Sequence, residues 1–168
     1  MPRINMADLR ALLPRHGRLL GIDPGAKTIG LALSDVTLML ASPYGSLKRT
    51  KLLANAAEIR AIAEKQGVGG LVVGLPLSMD GTHGPAAQAA SDWALAISEA
   101  TGLPLAMWDE RLSSAAVNRM MIEEADMTRK RRAAQVDSAA AAYMLQAALD
   151  ASRPRLDAAP PPRYMDGL

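Results

Sequence analysis

The sequence of 168 residues contains no cysteine, and this absence excludes several kinds of chemistry at once. Disulfides, thiolate metal sites and cysteine nucleophiles all need a thiol, so this chain has none of them. A reducing cytoplasm is therefore the expected location. Histidine is almost as scarce, with only His16 and His83, and this scarcity disfavours a zinc site.

Aromatic side chains are also few, with two tryptophans, three tyrosines and no phenylalanine. Because proteins that bind single-stranded nucleic acid stack its bases on exposed rings, the sequence is poorly supplied for that kind of binding. No apolar run approaches the length of a transmembrane helix, and residues 1–18 mix arginine with short apolar stretches, unlike a signal peptide. We therefore expect neither membrane insertion nor secretion.

The residues that are present suit one folded domain. Hydrophobic residues make up 49% of the chain, enough at this length for a single core and a single active site. We predict an N-terminal extension over residues 1–17, a folded domain over 18–151 and a disordered tail over 152–168, where proline and alanine recur without periodicity. The net charge of +2 says little about an anionic partner, so local charge matters more.

Strand and helix patterns alternate along the predicted domain. Two apolar runs on either side of a turn rich in glycine and proline predict a β-hairpin over Arg18–Ser34. The pattern predicts helices over 51–66, 85–101, 113–124 and 133–150, and short buried strands over 70–74 and 103–108. A third strand after the hairpin is optional. This order favours an α/β domain, with a mixed sheet flanked by helices on both faces.

Acidic residues fall where such a fold would bring side chains together. Asp23 ends the first strand, Asp109 and Glu110 follow the last strand, and Asp137 lies on an alanine-rich helix. Because the carboxyl ends of neighbouring parallel strands open onto one crevice, Asp23 and Glu110 can point into the same cleft. The small alanine side chains would let the helix that carries Asp137 approach the sheet closely. Side chains alternate along a strand, so we favour Glu110 and keep Asp109 as the alternative.

This set of carboxylates suits a particular kind of metal. Hard oxygen ligands favour Mg²⁺ or Mn²⁺, which bind carboxylates together with water and phosphate oxygens. Two such ions, roughly 3.5 to 4 Å apart, would stabilise the attacking and leaving oxygens of a phosphoryl displacement. The sequence therefore predicts phosphodiester hydrolysis at Asp23, Glu110 and Asp137 without a histidine or serine nucleophile.

Each acid also has a plainer interpretation. Asp23 can start a turn at the proline and glycine that follow it. Asp109 and Glu110 can cap a helix or pair with Arg111 at the surface. Asp137 is the hardest to explain in this way, because a charge on a helix face suited to burial is costly unless it meets a cation.

A cluster of basic residues immediately precedes the helix predicted to carry Asp137. The basic cluster consists of Arg129, Lys130, Arg131 and Arg132. Such a run is often only a solvated face, but beside an acidic metal cleft it predicts contacts with phosphates. Lys27 and Arg111 would extend that surface. The basic residues 48, 49 and 51 would extend it too, or else simply lie at the start of a helix. With so few aromatic residues, recognition of the backbone shape of structured nucleic acid is favoured.

Four segments add a family resemblance. They are GIDPGAKTIGLALSD (Gly21–Asp35), VGLPLSMDGTHGPAAQ (Val73–Gln88), DERLSSAAV (Asp109–Val117) and VDSAAAAYMLQ (Val136–Gln146). Taken together and in this order, they resemble the YqgF/RuvX family of RNase H-like Holliday junction resolvases. Members are also described as nucleases that mature the precursor of 16S ribosomal RNA. The resemblance covers about residues 18–150.

This resemblance implies an RNase H-like fold and a metal-dependent endonuclease. It also implies a cytoplasmic role in ribosome biogenesis, processing the 5′ end of pre-16S rRNA, with the ribosome or its precursors as partners. The family's motif acids fall on Asp23, Glu110 and Asp137.

Two other functions stay open at this point. Within the same chemistry, the alternative is a Holliday junction resolvase that acts on branched DNA. In a different class, it is a non-catalytic nucleic-acid or nucleotide-binding module, because GIDPG also resembles the phosphate loop of actin-like sugar kinases and ATPases. Those folds pair two similar domains around the nucleotide, and this chain has room for only one.

Overall fold

The computed structural model describes residues 3–76, 84–109 and 129–154, with only the helix path given for residues 129–137. In those ranges six strands form one mixed sheet, and four helices pack on it. The strands are β1 (Arg3–Ile4), β2 (Arg18–Pro24), β3 (Thr28–Ser34), β4 (Ala41–Lys48), β5 (Val68–Leu75) and β6 (Leu105–Asp109). The helices are α1 (Met6–Leu12), α2 (Leu52–Gln66), α3 (Pro85–Thr101) and α4 (Arg129–Ala151).

The order of strands across the sheet is β1-β6-β5-β2-β3-β4. Strands β2, β3 and β4 form an antiparallel meander, which confirms the hairpin predicted over Arg18–Ser34. Strands β5 and β6 extend the sheet from β2 as parallel strands. The predicted fold class is confirmed, since a mixed sheet of this order with helices on both faces is an RNase H-like α/β domain.

The sheet separates two hydrophobic cores. On one face Ile22 of β2 packs with Ile59 of α2 and Ile97 of α3. On the other face Leu19 of β2 belongs to the same buried cluster as Leu145 of α4, together with residues of α1. Because side chains alternate along a strand, positions 19, 21 and 23 of β2 all face α4.

The ends of α2 and α3 follow from local backbone rules. Gly67 and Gly102 end these helices with φ of 69° and 74°, the left-handed region that favours glycine. Pro85 begins α3, where a missing N–H does no harm. The helix predicted over 113–124 lies outside the described residues, as does the predicted disordered tail beyond residue 154.

Two regions differ from the sequence-based prediction. Residues 3–12 form β1, which pairs with β6, and α1, which buries Met6 and Leu9 in the core shared with α4. A seven-residue helix is too short to give a clear periodic signal, and here packing stabilises it. The basic cluster lies inside α4 and not before it, because that helix already includes Arg129.

The proposed boundary between an extension and the domain at residue 17 stays a prediction. Within the described ranges, none of the helices combines the length and apolar character that crossing a membrane would require.

Candidate active site

Asp23 lies at the carboxyl end of β2, on the face of the sheet that α4 covers. Its partner on β3 is Gly30, and the pairing of Ile22 with Val73 puts Gly74 of β5 next to it on the other side. Since glycine has no side chain, neither flanking strand covers the Asp23 carboxylate at this level of the sheet. The residue is nevertheless only 9% exposed.

Helix α4 approaches the sheet closely beside this residue. A Cβ atom on Gly21 would lie 2.9 Å from Cβ of Leu145 and 3.4 Å from the carbonyl oxygen of Ala141. Only glycine permits so short a distance between strand and helix backbones. The close approach expected from the alanine-rich sequence is therefore present, and it occurs two residues before Asp23.

The direction of α4 determines which of its residues lie near the end of β2. Gln146 donates to the carbonyl of Met39 at 2.9 Å and accepts from the amide of Ala41, the first residue of β4, at 2.8 Å. Ala41 pairs with Ser34 of β3, and the Ser34 hydroxyl accepts from the amide of Leu19 in β2. Gln146 therefore lies toward the amino end of β2. Leu145 and Ala141 follow at the level of Gly21. The helix thus runs antiparallel to β2, and its earlier residues lie toward the carboxyl end of that strand.

Asp137 precedes Ala141 by about one helical turn. One turn rises about 5.4 Å, close to the roughly 6.6 Å that separates residues 21 and 23 along a strand. Because Gly21 faces the turn from Ala141 to Leu145, a helix axis aligned with the strand would pass the level of Asp23 between about residues 137 and 141. The side chain of Asp137 lies outside the described part of the structure.

Strand β6 bears on the choice between the two neighbouring acids. Asp109 pairs with Leu75, and it continues the face of Leu105 and Met107, which pack in the core against α2 and α3. That face is opposite to the one that carries Asp23. Glu110 lies outside the described residues. The register therefore separates Asp109 from the face of Asp23, and the preference for Glu110 stays a prediction.

The set of predicted ligands is described only in part. In the ranges with described side chains, no group of three acidic or histidine residues comes together to hold a metal ion. Of the three predicted ligands, only Asp23 has its side chain within those ranges. Its carboxylate is a hard oxygen donor at a strand end, which fits Mg²⁺ or Mn²⁺ better than a softer metal.

Two of the predicted phosphate-binding regions, Lys27 and the helix path of the basic cluster, lie toward the same end of the sheet. Lys27 is exposed in the turn directly after Asp23. The basic cluster occupies the beginning of α4, the end of the helix that lies toward Asp23, and only its helix path is described. Arg111 lies outside the described residues.

Arg49 also reaches the turn after Asp23. Its Nη1 donates to the carbonyl of Gly25 at 2.8 Å, and its guanidinium lies 5.2 Å from the ring centroid of Trp93. In the sequence Arg49 is one basic residue among several. No local pattern links it to a turn and a helix elsewhere in the chain.

Among the residues with described side chains, Asp35 is the acid whose pKa is most clearly shifted. The Thr37 hydroxyl donates to its carboxylate, and the amides of Met39 and Leu40 donate at 2.9 and 3.1 Å. These bonds, that of Thr37 above all, lower the pKa of Asp35 to about 2. Because Asp35 follows β3 at the end of the sheet away from Asp23, its role is to order the β3–β4 loop.

The chain is similar to known proteins over most of its length. A family model described as "RuvX: Holliday junction resolvase" matches residues 17–151. A protein of Gluconacetobacter diazotrophicus named "Putative pre-16S rRNA nuclease" is 70% identical over 152 residues, which cover 90% of this chain and 99% of that protein. A protein of Gluconobacter oxydans with the same name is 64% identical over 154 residues, which cover 92% of this chain and 96% of the relative.

Among solved structures, T. thermophilus RuvC in complex with Holliday junction substrate matches with a TM-score of 0.48 at 19% sequence identity. The match covers 81% of this chain and 95% of that chain. The family model spans most of the sequence, and both relatives are matched over nearly their whole length. The chain therefore belongs to the RuvX family.

Proposed function

We propose that this chain is a metal-dependent endonuclease that hydrolyses phosphodiester bonds in precursor 16S ribosomal RNA, where it processes the 5′ end. The observation that carries this proposal is the position of Asp23. A buried carboxylate ends the central strand between two glycines, on the face along which α4 runs toward the same end of the sheet. Family membership supports the nuclease class, and the names of the two relatives support the RNA substrate.

In this proposal Asp23, Glu110 and Asp137 hold Mg²⁺ or Mn²⁺ between the sheet and α4. Such ions, when bound, supply the positive charge that stabilises the attacking and leaving oxygens of an in-line displacement. The chain itself contributes rigidity, since Asp23 pairs with Gly30 of β3 and the preceding residue, Ile22, pairs with Val73 of β5. The glycines at positions 30 and 74 leave the neighbouring strands without side chains at that level.

The same proposal assigns substrate binding to the basic residues. Lys27 and the basic cluster would bind backbone phosphates of a folded RNA, and Arg111 would join them. The small number of aromatic residues in the sequence fits recognition of backbone shape better than base stacking. Partners would then be the ribosome or its precursors, and the reaction would take place in the cytoplasm, where bacterial ribosomes are assembled.

The direct test is cleavage of an RNA that carries the 5′ leader of 16S rRNA, with Mg²⁺ or Mn²⁺ present. Asp23→Asn, Glu110→Gln and Asp137→Asn should each lower the cleavage rate by about a hundredfold or more, because each removes a charged ligand and keeps the side-chain shape. Asp92→Asn is the matched control, since Asp92 is exposed on α3 and bonds only its neighbour Gln88 within the described residues. Wild-type cleavage by the Asp23 or Asp137 variant would contradict the proposal.

A second candidate is resolution of branched DNA, which the description of the matching family as Holliday junction resolvases favours. The two candidates share the catalytic residues and differ in substrate. The same preparation should therefore be offered a four-way DNA junction in parallel with the RNA. Cleavage of the junction with the RNA left intact would assign the activity to DNA. If neither the RNA nor the junction is cleaved, the remaining candidate is a non-catalytic binding module.

A further inference from the structure

Arg49, which lies outside the β2–β3 hairpin, binds the turn that follows Asp23. Within the turn, the amide of Gly25 donates to the carbonyl of Thr28 at 3.0 Å. A Cβ atom on Gly25 would lie only 2.5 Å from that carbonyl oxygen, so the turn is tight. The carbonyl of Gly25 accepts the 2.8 Å bond from Arg49 Nη1, and the backbone amide of Arg49 donates to the carbonyl of Lys27 at 2.9 Å. Arg49 therefore binds this turn at two points.

The segment that carries Arg49 is itself anchored. Asn55 of α2 is fully buried. Its Oδ1 accepts from the amide of Thr50 at 2.9 Å, and its Nδ2 donates to the carbonyl of Lys48 at 3.1 Å. Both neighbours of Arg49 in the chain are thus bonded to one buried side chain, so the backbone that presents Arg49 is held in place.

The guanidinium has a second support on α3. It lies 5.2 Å from the ring centroid of Trp93, within the range of a cation–π interaction. Trp93 is 8% exposed and belongs to the core that the sheet forms with α2 and α3, on the face opposite to α4. Arg49 thus reaches the turn from the side away from the Asp23 carboxylate.

We propose that Arg49 is a positioning residue that locks the turn after Asp23 and thereby fixes the carboxylate of the proposed catalytic site. The inference rests on the proposed function. Because Arg49 acts from the Trp93 side, it works through the turn and does not contact the substrate. A planar guanidinium is needed, since it stacks on a ring while one N–H points at the Gly25 carbonyl. A lysine carries the same charge but offers no such plane.

The test compares Arg49→Met and Arg49→Lys in the full-length chain, with Arg60→Met as the matched control. Arg60 also donates to a backbone carbonyl, that of Thr101 at 3.2 Å, and it lies near the amino end of β5, away from Asp23. The first measurement is hydrogen exchange of the Gly25 amide, whose bond closes the turn. The second is the dependence of RNA cleavage on substrate and salt concentration.

Arg49→Met should speed exchange of the Gly25 amide about tenfold, the loss expected for roughly one charge-assisted hydrogen bond. It should lower kcat by about tenfold and leave KM within about twofold, because positioning affects the reacting geometry more than binding. Arg49→Lys should restore neither quantity. Arg60→Met should leave both at the wild-type values.

Three results would overturn the inference. In the first, Gly25 exchange is unchanged in both Arg49 variants. In the second, KM rises at constant kcat, the salt dependence weakens by about one unit of log-log slope, and lysine restores both, which would make Arg49 a phosphate contact. In the third, cleavage is equally fast in the wild type and in Arg49→Met. If the wild-type protein itself cleaves neither RNA nor junction DNA, the proposed function fails, and the inference fails with it.

Discussion

Replacing Gly21 by alanine should move α4 away from the sheet and damage the proposed site before it unfolds the domain. The new Cβ would lie 2.9 Å from Cβ of Leu145, an atom fixed to the helix backbone. Carbon atoms pack at about 3.5 to 4.0 Å, so relief of this contact needs a shift of about 0.5 to 1 Å between strand and helix. The side chain of Leu145 cannot absorb that shift by changing rotamer.

The magnitude follows from this displacement. Overpacking of this kind costs about 1–3 kcal/mol, and a loss of about 2 kcal/mol lowers the Tm of a domain this size by about 4–8 °C. Activity should fall further than stability, because a misplacement of about 1 Å in a catalytic constellation can cost about a hundredfold in rate. The same helix carries Asp137, which lies about one turn before Ala141.

The assay pairs thermal unfolding with RNA cleavage well below the Tm. Gly70→Ala is the matched control, since its Cβ would also be crowded, at 2.7 Å from Cδ1 of Leu9. The atoms nearest to a Cβ on Gly70 are the methyl ends of leucine side chains near α1, which can move. Gly70 lies on the same face of the sheet as Gly21 but toward the end away from Asp23. We expect Gly70→Ala to lose stability and keep cleavage. Equal cleavage rates for the wild type and Gly21→Ala would refute the argument that the short distance between α4 and β2 positions the proposed catalytic residues.

Two further outcomes follow from charge. Asp35→Asn should lower the Tm near pH 7, and the difference in Tm from wild type should disappear in acid. The reason is that the pKa of Asp35 is lowered from 3.8 to about 2 in the folded state, so its carboxylate stabilises the fold above pH 3.8. This stabilisation is lost as the pH falls toward 2. A Tm difference that persists at pH 2 would contradict this assignment. Alanine at Arg129–Arg132 should reduce the salt dependence of RNA binding by about one unit of log-log slope per lost phosphate contact, and an unchanged slope would remove the basic cluster from the binding surface.

The parts of the fold that local rules govern could be predicted from the sequence. Gly67 and Gly102 end their helices because the backbone there adopts a left-handed conformation. The hairpin around GIDPG is equally local. Helix α1 could not be predicted, because its seven residues carry little periodicity and it is held by packing with distant residues such as Leu145.

The candidate site, like the fold, could be predicted from the sequence only in part. The sequence could single out Asp23 and Asp137 by their motifs, but it could not give the direction in which α4 crosses the sheet. That direction depends on contacts such as those of Gln146 with the β3–β4 connection, which join positions more than 100 residues apart. The contact of Arg49 with Gly25 and Trp93 is likewise a product of tertiary structure. Strand alternation alone could favour Glu110 over Asp109, but the face of Asp109 is known only from the register of β6 against β5.

The measurement closest to the central claim is the anomalous scattering of a crystal soaked in Mn²⁺. The account predicts a manganese peak at the carboxyl end of β2, with oxygens of both Asp23 and Asp137 at about 2.1 Å from it. Asp23→Asn should remove the peak, and Asp92→Asn should leave it in place. A structure in which the Asp23 and Asp137 carboxylates lie on separate surfaces, with no manganese between them, would contradict the account.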